Sequence, residues 1–188
     1  MKVRPRTYLL VACAIAVGYV LMCLLGPNQY SSEESIKIRC SNQKVAWTLA
    51  DFNEWSNWFT EWNQFDSSTI NVTGNAMMVE HGVEFNYNGM IQRLEIEAIY
   101  GTIENIDIIQ IQRYNVNSNE LDASIRYELS ADEKGNSVVK CVLSHGEIPF
   151  IFRGAIWTTR NAHQWKIWNV ENLESLRNYL EATPASKN

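Results

Sequence analysis

Side chains able to do acid–base, nucleophilic or metal chemistry are few in this chain, and they are scattered. The three histidines, His81, His145 and His163, lie far apart without HxxxH or HxH spacing. A zinc site needs three or four converging ligands, so no metal and no cofactor is expected. No GxSxG elbow, Cys–His signature or glycine-rich phosphate loop occurs. Glu95, Glu97 and Glu128 occupy the polar phase of alternating segments, which is the pattern of a solvated face rather than of an acid–base pair. Asp51 closes a helical segment, where a carboxylate serves a turn or cap. No catalytic residue is singled out. Aromatic rings are in surplus, with seven Trp and eight Tyr. Trp55, Trp58 and Trp62 follow one another at spacings of three and four, which is one face of a helix. Tyr87 and Tyr127 carry hydroxyls in apolar phases. Apolar walls with a few polar tips suit recognition of an apolar molecule.

Alternation locates the elements that must hold these side chains. Ser35–Cys40 reads as a strand, with Ile36, Ile38 and Cys40 on one side. A helix capped by Asn42 follows, with Val45, Leu49 and Phe52 in phase. The run Phe52–Trp62 reads as a second short helix. From Thr69 to His145 the pattern is of strands. Val83, Phe85 and Tyr87 alternate before Asn88-Gly89, a hairpin signal. Leu94, Ile96, Ala98 and Tyr100 alternate up to Gly101. Ile108 and Ile109 are both apolar, which predicts a bulge or a two-sided strand. Leu121, Ala123, Ile125, Tyr127 and Leu129 alternate, as do Val139, Cys141 and Leu143. Residues from about Thr158 to Leu180 favour helix, and Phe150–Trp157 reads as its first turns or as a covering segment. A sheet with one apolar face must be covered, and the last helix is the element long enough to do it.

The N-terminus is of another kind. Thr7–Leu25 holds nineteen residues without a charge, close to the length needed to cross a hydrocarbon core of about 30 Å. Lys2, Arg4 and Arg6 precede it, and Gly26-Pro27 ends it. The expected organisation is a basic cytoplasmic tail (1–6), a transmembrane anchor (7–25), a linker (26–33), one domain (34–182) and a frayed tail (183–188). The positive-inside rule puts the domain on the extracytoplasmic side, periplasmic or extracellular. A cleaved signal and a lipoprotein signal around Leu10-Val11-Ala12-Cys13 are the alternatives. Leu24-Leu25-Gly26-Pro27 is a poor cleavage site, and the apolar run before Cys13 is short. After the basic tail, 13 basic groups face 21 acidic ones, a net charge of −8. Such a domain repels phosphate backbones, so nucleic acid is not an expected partner.

Strand, two short helices, about six strands and a long helix, with these residues, resembles the START-like (SRPBCC) superfamily, which includes polyketide cyclase/dehydrase-like proteins. Ser35–Cys40 looks like the opening strand of that superfamily. The segment Val45–Trp58, with Trp47, Leu49, Asp51, Trp55 and Trp58, is the most specific likeness. Gly82–Tyr87 is similar to the third strand, and Asn172–Glu181 to the end of the last helix. The resemblance covers about residues 34–182. It implies an α+β helix-grip fold, in which a curved antiparallel sheet of about seven strands wraps on a long C-terminal helix. It also implies a cavity for a hydrophobic ligand between sheet and helix. Trp55, Trp58, Phe85, Tyr87, Leu94, Ile96, Ile125, Tyr127, Leu143 and Trp157 are the expected lining. Met77-Met78 and the Phe150–Trp157 cluster are candidate lids. Cys40 and Cys141 fall on strands that pair in that fold, so a disulfide between them is a possibility beside two free thiols.

The expected function is a membrane-anchored binding domain for a hydrophobic small molecule or lipid. Two alternatives stand beside it. One is a cyclase- or dehydratase-type enzyme using polar groups such as Tyr87, Tyr127 or His145. The other is a partner-binding protein whose interior is filled by its own side chains.

Overall fold

The structure, a computed structural model, describes residues 5–87, 89–102, 105–118, 120–158 and 161–182. Residues 1–4 of the basic tail and the tail 183–188 lie outside that set. The elements are α1 (Pro5–Leu25), β1 (Ser31–Ile38), α2 (Asn42–Ala50), three 3-10 turns between Glu54 and Thr69, β2 (Asn71–Thr73), β3 (Gly82–Tyr87), β4 (Met90–Thr102), β5 (Asn105–Asn115), β6 (Glu120–Ala131), β7 (Ser137–His145), α3 (Phe150–Thr158) and α4 (Asn161–Ala182).

The strands form one antiparallel sheet in the order β1-β7-β6-β5-β4-β3-β2. Each strand from β2 to β7 pairs with the next in sequence, and β1 closes the far edge on β7, with Ser31 opposite Ser144 and Ile38 opposite Ser137. The order is that expected, with three local differences. Ser41, not Asn42, caps α2: its hydroxyl accepts the Lys44 N–H at 3.3 Å. β1 begins at Ser31, because Ser32 turns inward and is buried in phase with Ile38. The Phe52–Trp62 run winds as 3-10 turns rather than a regular helix.

A register shift between Ile96 and Ala98 leaves Glu97 unpaired on β4, and a second falls between Tyr100 and Gly101. The first reverses the phase of the strand. Leu94 and Ile96 face inward, but beyond Glu97 it is Ile99 that packs on the core, and Tyr100 turns to solvent. Bulges bend and twist a strand in this way.

The inner face of the sheet is covered by two elements. α2 lies across β5, β6 and β7, and α4 runs along β1 and β7. Leu173, Leu176 and Leu180, spaced as one helical face, bury the C-terminal half of α4. That half is also tied by polar contacts: Lys44 Nζ donates to the Leu180 carbonyl at 3.2 Å, and Glu181 accepts the Arg39 N–H at 2.9 Å. The outer face is charged, with Arg93 between Glu84 and Glu95, and Lys140 between Glu33 and Glu128. Glu95 and Glu128 therefore sit on the solvated face, as their phase predicts.

The register excludes the Cys40–Cys141 disulfide. Cys141 lies opposite Glu34, whereas Cys40 is beyond the end of β1 at the level of Ser137, whose N–H it accepts. Four residues of strand, about 13 Å, separate Glu34 from Ile38, with Cys40 in the bend beyond it, and a disulfide needs Cα atoms within about 7 Å. Both thiols are free.

Candidate functional site

The predicted lining residues are brought together on the inner face, and most of them pack against one another. Trp55 is 0% exposed, and its Nε1 donates to the Leu49 carbonyl at 3.0 Å. Phe52, Trp58 and Phe59 surround it at ring separations of 4.7–4.9 Å for three of the pairs. Phe85 stacks on Phe65 at 3.9 Å. Leu94, Ile96, Ile125, Tyr127 and Leu143 are buried in the same cluster. Burial raises the Tyr127 hydroxyl and pushes the Cys141 thiol beside it up to about 12. Trp157 lies on α3, and its side chain is outside the described residues. Trp47 faces solvent and belongs to neither wall nor core.

One end of the inner face is rich in aromatic rings that are not fully buried. There Tyr87, Trp62, Trp165 and Trp168 are only partly buried. At this end the sheet changes character. Arg113 follows Ile109 and Ile111 in phase on β5, so its side chain projects inward, between Leu94 of β4 and the small Ala123 of β6. Gln92, in phase with Leu94, is buried. Arg113 Nε donates to Gln92 Oε1 at 2.6 Å, and its guanidinium lies over the Tyr87 ring at 5.6 Å. Glu61, from the 3-10 segment, reaches over the sheet to place Oε2 3.9 Å from Arg113 Nη1.

Both charges are largely withdrawn from water, with side-chain exposures of 13% and 16%. Burial raises the Glu61 carboxyl above the usual carboxylate range, while Arg113 and the nearby Trp168 indole pull it back. Glu61 Oε2 is shared between Arg113 and the Trp168 indole without a close hydrogen bond to either, and the buried Trp58 indole N–H has no partner. Buried polar atoms in a finished core are nearly always paired. Unused donor capacity is what a site awaiting a polar group presents.

α4 supplies the facing wall. Asn172 Oδ1 accepts the Thr60 N–H at 3.0 Å and the Thr60 hydroxyl at 3.1 Å, and its Nδ2 donates to the Trp168 carbonyl at 2.9 Å. This clamps the 3-10 segment to the helix and fixes the Trp168 ring, which meets Phe59 edge-on at 5.8 Å. Asn169, fully buried, donates to the Cys141 carbonyl at 3.2 Å. His145 ends β7 with its ring 4.0 Å from Trp165. No group of three or more His, Cys, Asp or Glu among the described residues could hold a metal ion.

No family model matches the sequence, and no curated protein matches it. Solved structures do match. SA2116 from Staphylococcus aureus superposes with TM-score 0.58 at 11% identity, over 81% of this chain and 94% of that one. Ara h 8.0201 gives 0.55 at 16%, over 82% and 99%. DynU16, from the dynemicin biosynthetic locus, gives 0.54 at 11%, over 81% and 47%, so the chain spans about half the length of DynU16. The chain has the START-like helix-grip fold. In this helix-grip domain the Arg113–Glu61 pair lies at the end where Tyr87, Trp62, Trp165 and Trp168 are partly buried.

Arg113, Glu61, Gln92 and Asn172 are absent from the sequence-derived set. Arg113 had a readable signal: a charge in phase with buried Ile109 and Ile111. Glu61 had none, because its reach depends on how the 3-10 turns wind.

Proposed function

We propose that this chain is a membrane-anchored binding domain for an amphipathic hydrophobic molecule, a lipid or a small molecule of similar polarity. Its polar group meets Arg113, Glu61, Tyr87 and Trp168 at the partly buried end. Its apolar part reaches toward the inner face, where Trp55, Trp58, Phe85, Leu94, Ile96, Ile125, Tyr127 and Leu143 form the wall. The observation that carries the proposal is the largely buried Arg113–Glu61 pair set into an otherwise apolar face. The deep wall is closed by side chains packed on each other, so filling it requires the N-terminal half of α4 to move outward.

Anchoring is supported by α1 itself. Its apolar window has mean hydropathy 2.5 and is 6% buried, so it is no core helix of this structure. Its last turns fit the domain closely: Gly154 lies against Cys23 and Tyr19, where a Cβ would come within 3.0 Å of Cys23 Sγ. Such a fit favours a retained anchor over a segment removed at maturation. The basic residues before α1 support a cytoplasmic N-terminus and an extracytoplasmic domain.

The test uses the full chain purified in detergent. Organic extraction and mass spectrometry should recover a bound hydrophobic species, and 11-(dansylamino)undecanoic acid should quench tryptophan emission by energy transfer. Both signals should weaken in Arg113→Leu. An empty protein that also ignores the probe would overturn the proposal.

One observation favours a second reading. A buried carboxyl with a raised pKa is what a general acid requires, and Glu61 is such a group. Proton transfer to a hydrophobic substrate would then depend on Glu61, and Glu61→Gln would abolish turnover while sparing binding.

A further inference from the structure

α3 follows β7 through Pro149 and carries Phe150, Ile151 and Phe152, which are 42%, 59% and 55% exposed. Three consecutive large apolar residues on a domain surface are unfavourable in water and gain on burial. Among the described residues none covers them fully. What lies beside them is α1. Tyr19 donates its hydroxyl to the Ile151 carbonyl, Cys23 is 1% exposed beneath α3, and Gly26 lies so close that a Cβ would meet the Arg153 carbonyl oxygen at 2.8 Å.

Tyr19 is six residues before Leu25, the end of the apolar run, so it lies about 9 Å inside that end. A helix docked at Tyr19 and Cys23 therefore lies within the depth, about 5–10 Å, at which interfacial helices bury their apolar face. Its one charge suits that position. Arg153 is bound through Nε to the Ile148 carbonyl at 3.0 Å and through Nη2 to Glu147 at 3.2 Å. The guanidinium is thus satisfied from the polar side of the helix.

The register supplies a second, independent observation. The β3–β4 turn and the β5–β6 turn lie at the same end of the sheet as Ser31 and His145, where the anchor joins. Those turns expose Met90, Ile91 and Val116. Arg113, Tyr87 and Trp168 belong to this end too.

We infer that α3 is an interfacial helix embedded in the outer leaflet beside α1, so that the Arg113 end of the site is held against the lipid surface. This rests on the reading that α1 remains in the membrane. The partner is the bilayer, and a ligand exchanged with it need not cross bulk water.

The test places the full chain in phosphatidylcholine nanodiscs containing a phosphatidylcholine with a diazirine on its acyl chain. After irradiation, adducts are mapped by mass spectrometry. Adducts are expected on residues 7–25 and, in comparable yield, on 148–154, with only background on Met78–Val79 and Tyr100, which are exposed apolar residues of the opposite end. Labelled α1 with unlabelled α3 would overturn the inference and leave the anchor intact. Labelling of Met78–Val79 equal to that of α3 would also overturn it, since the adducts would then track exposed apolarity rather than position. An unlabelled α1 would remove the anchor and the inference together.

Discussion

The Arg113–Glu61 pair permits a quantitative test. At 3.9 Å, and at an effective dielectric constant of about 20, the attraction between two unit charges is about 4 kcal/mol. Residual exposure of both side chains, and the cost of holding them, reduce what survives to a coupling of about 1–3 kcal/mol. The cycle consists of the parent, Arg113→Leu, Glu61→Gln and the double variant, each unfolded by urea in detergent and followed by tryptophan emission. Arg113→Leu alone strands a buried carboxylate and should be the least stable. The double variant should recover much of the loss, because no charge remains buried. The pH dependence follows from the raised Glu61 pKa. Ionising Glu61 is harder in the folded than in the unfolded chain. Its contribution is thus largest below the ordinary carboxylate value and falls as pH rises through the raised one. Glu61→Gln should therefore gain on the parent as pH rises through that window. The coupling to Arg113 needs the ionised carboxylate, so it is present above the raised Glu61 pKa and disappears as pH falls through it. Single-variant losses that simply add above that pKa, to within about 0.3 kcal/mol, would show that the two groups do not act as a pair.

Three further outcomes follow from the geometry. His81 is buried, accepting the Phe52 N–H at 3.2 Å and donating to the Thr73 carbonyl at 2.8 Å; His81→Ala orphans both and should cost about 3–5 kcal/mol in urea unfolding. Gly101 has φ +115°, and a Cβ there would lie 2.4 Å from the Asn105 carbonyl oxygen, so Gly101→Ala should cost more than about 2 kcal/mol, read as a fall in Tm. Cys141, buried with its thiol pushed up to about 12, should resist maleimide at pH 8 and label fully in urea without reductant.

Alternation revealed the sheet, because β6 and β7 bury every second residue, with Ser124, Arg126, Glu128 and Lys140 among those between. It failed where the backbone changes phase. Glu97 is an ordinary strand residue in the sequence, yet the bulge there sends Tyr100 outward and Ile99 inward. The disulfide alternative failed for a related reason: inward phase is shared by residues at every level of a strand pair, and only register says which of them meet. The apolar wall was legible because burial follows period two. The polar end was less so, since Glu61 arrives from irregular turns. Phe150–Phe152 were visible as an apolar cluster, but their neighbour α1 lies more than a hundred residues away in the chain.

α4 is held unequally along its length. Its last three turns are locked by leucines, by Lys44 and Glu181, and by the Asn172–Thr60 clamp. The turns before Asn169 expose His163, Gln164, Lys166 and Ile167. This half is held by the Lys166–Glu34 ion pair at 3.2 Å and the Trp165–His145 ring contact, contacts nearer the surface than those beyond Asn169. Backbone amides of residues 172–180 should exchange with deuterium only on global unfolding, and those of residues 163–167 far sooner. The half that pairs with the surface is thus the half that can yield without unseating the leucines.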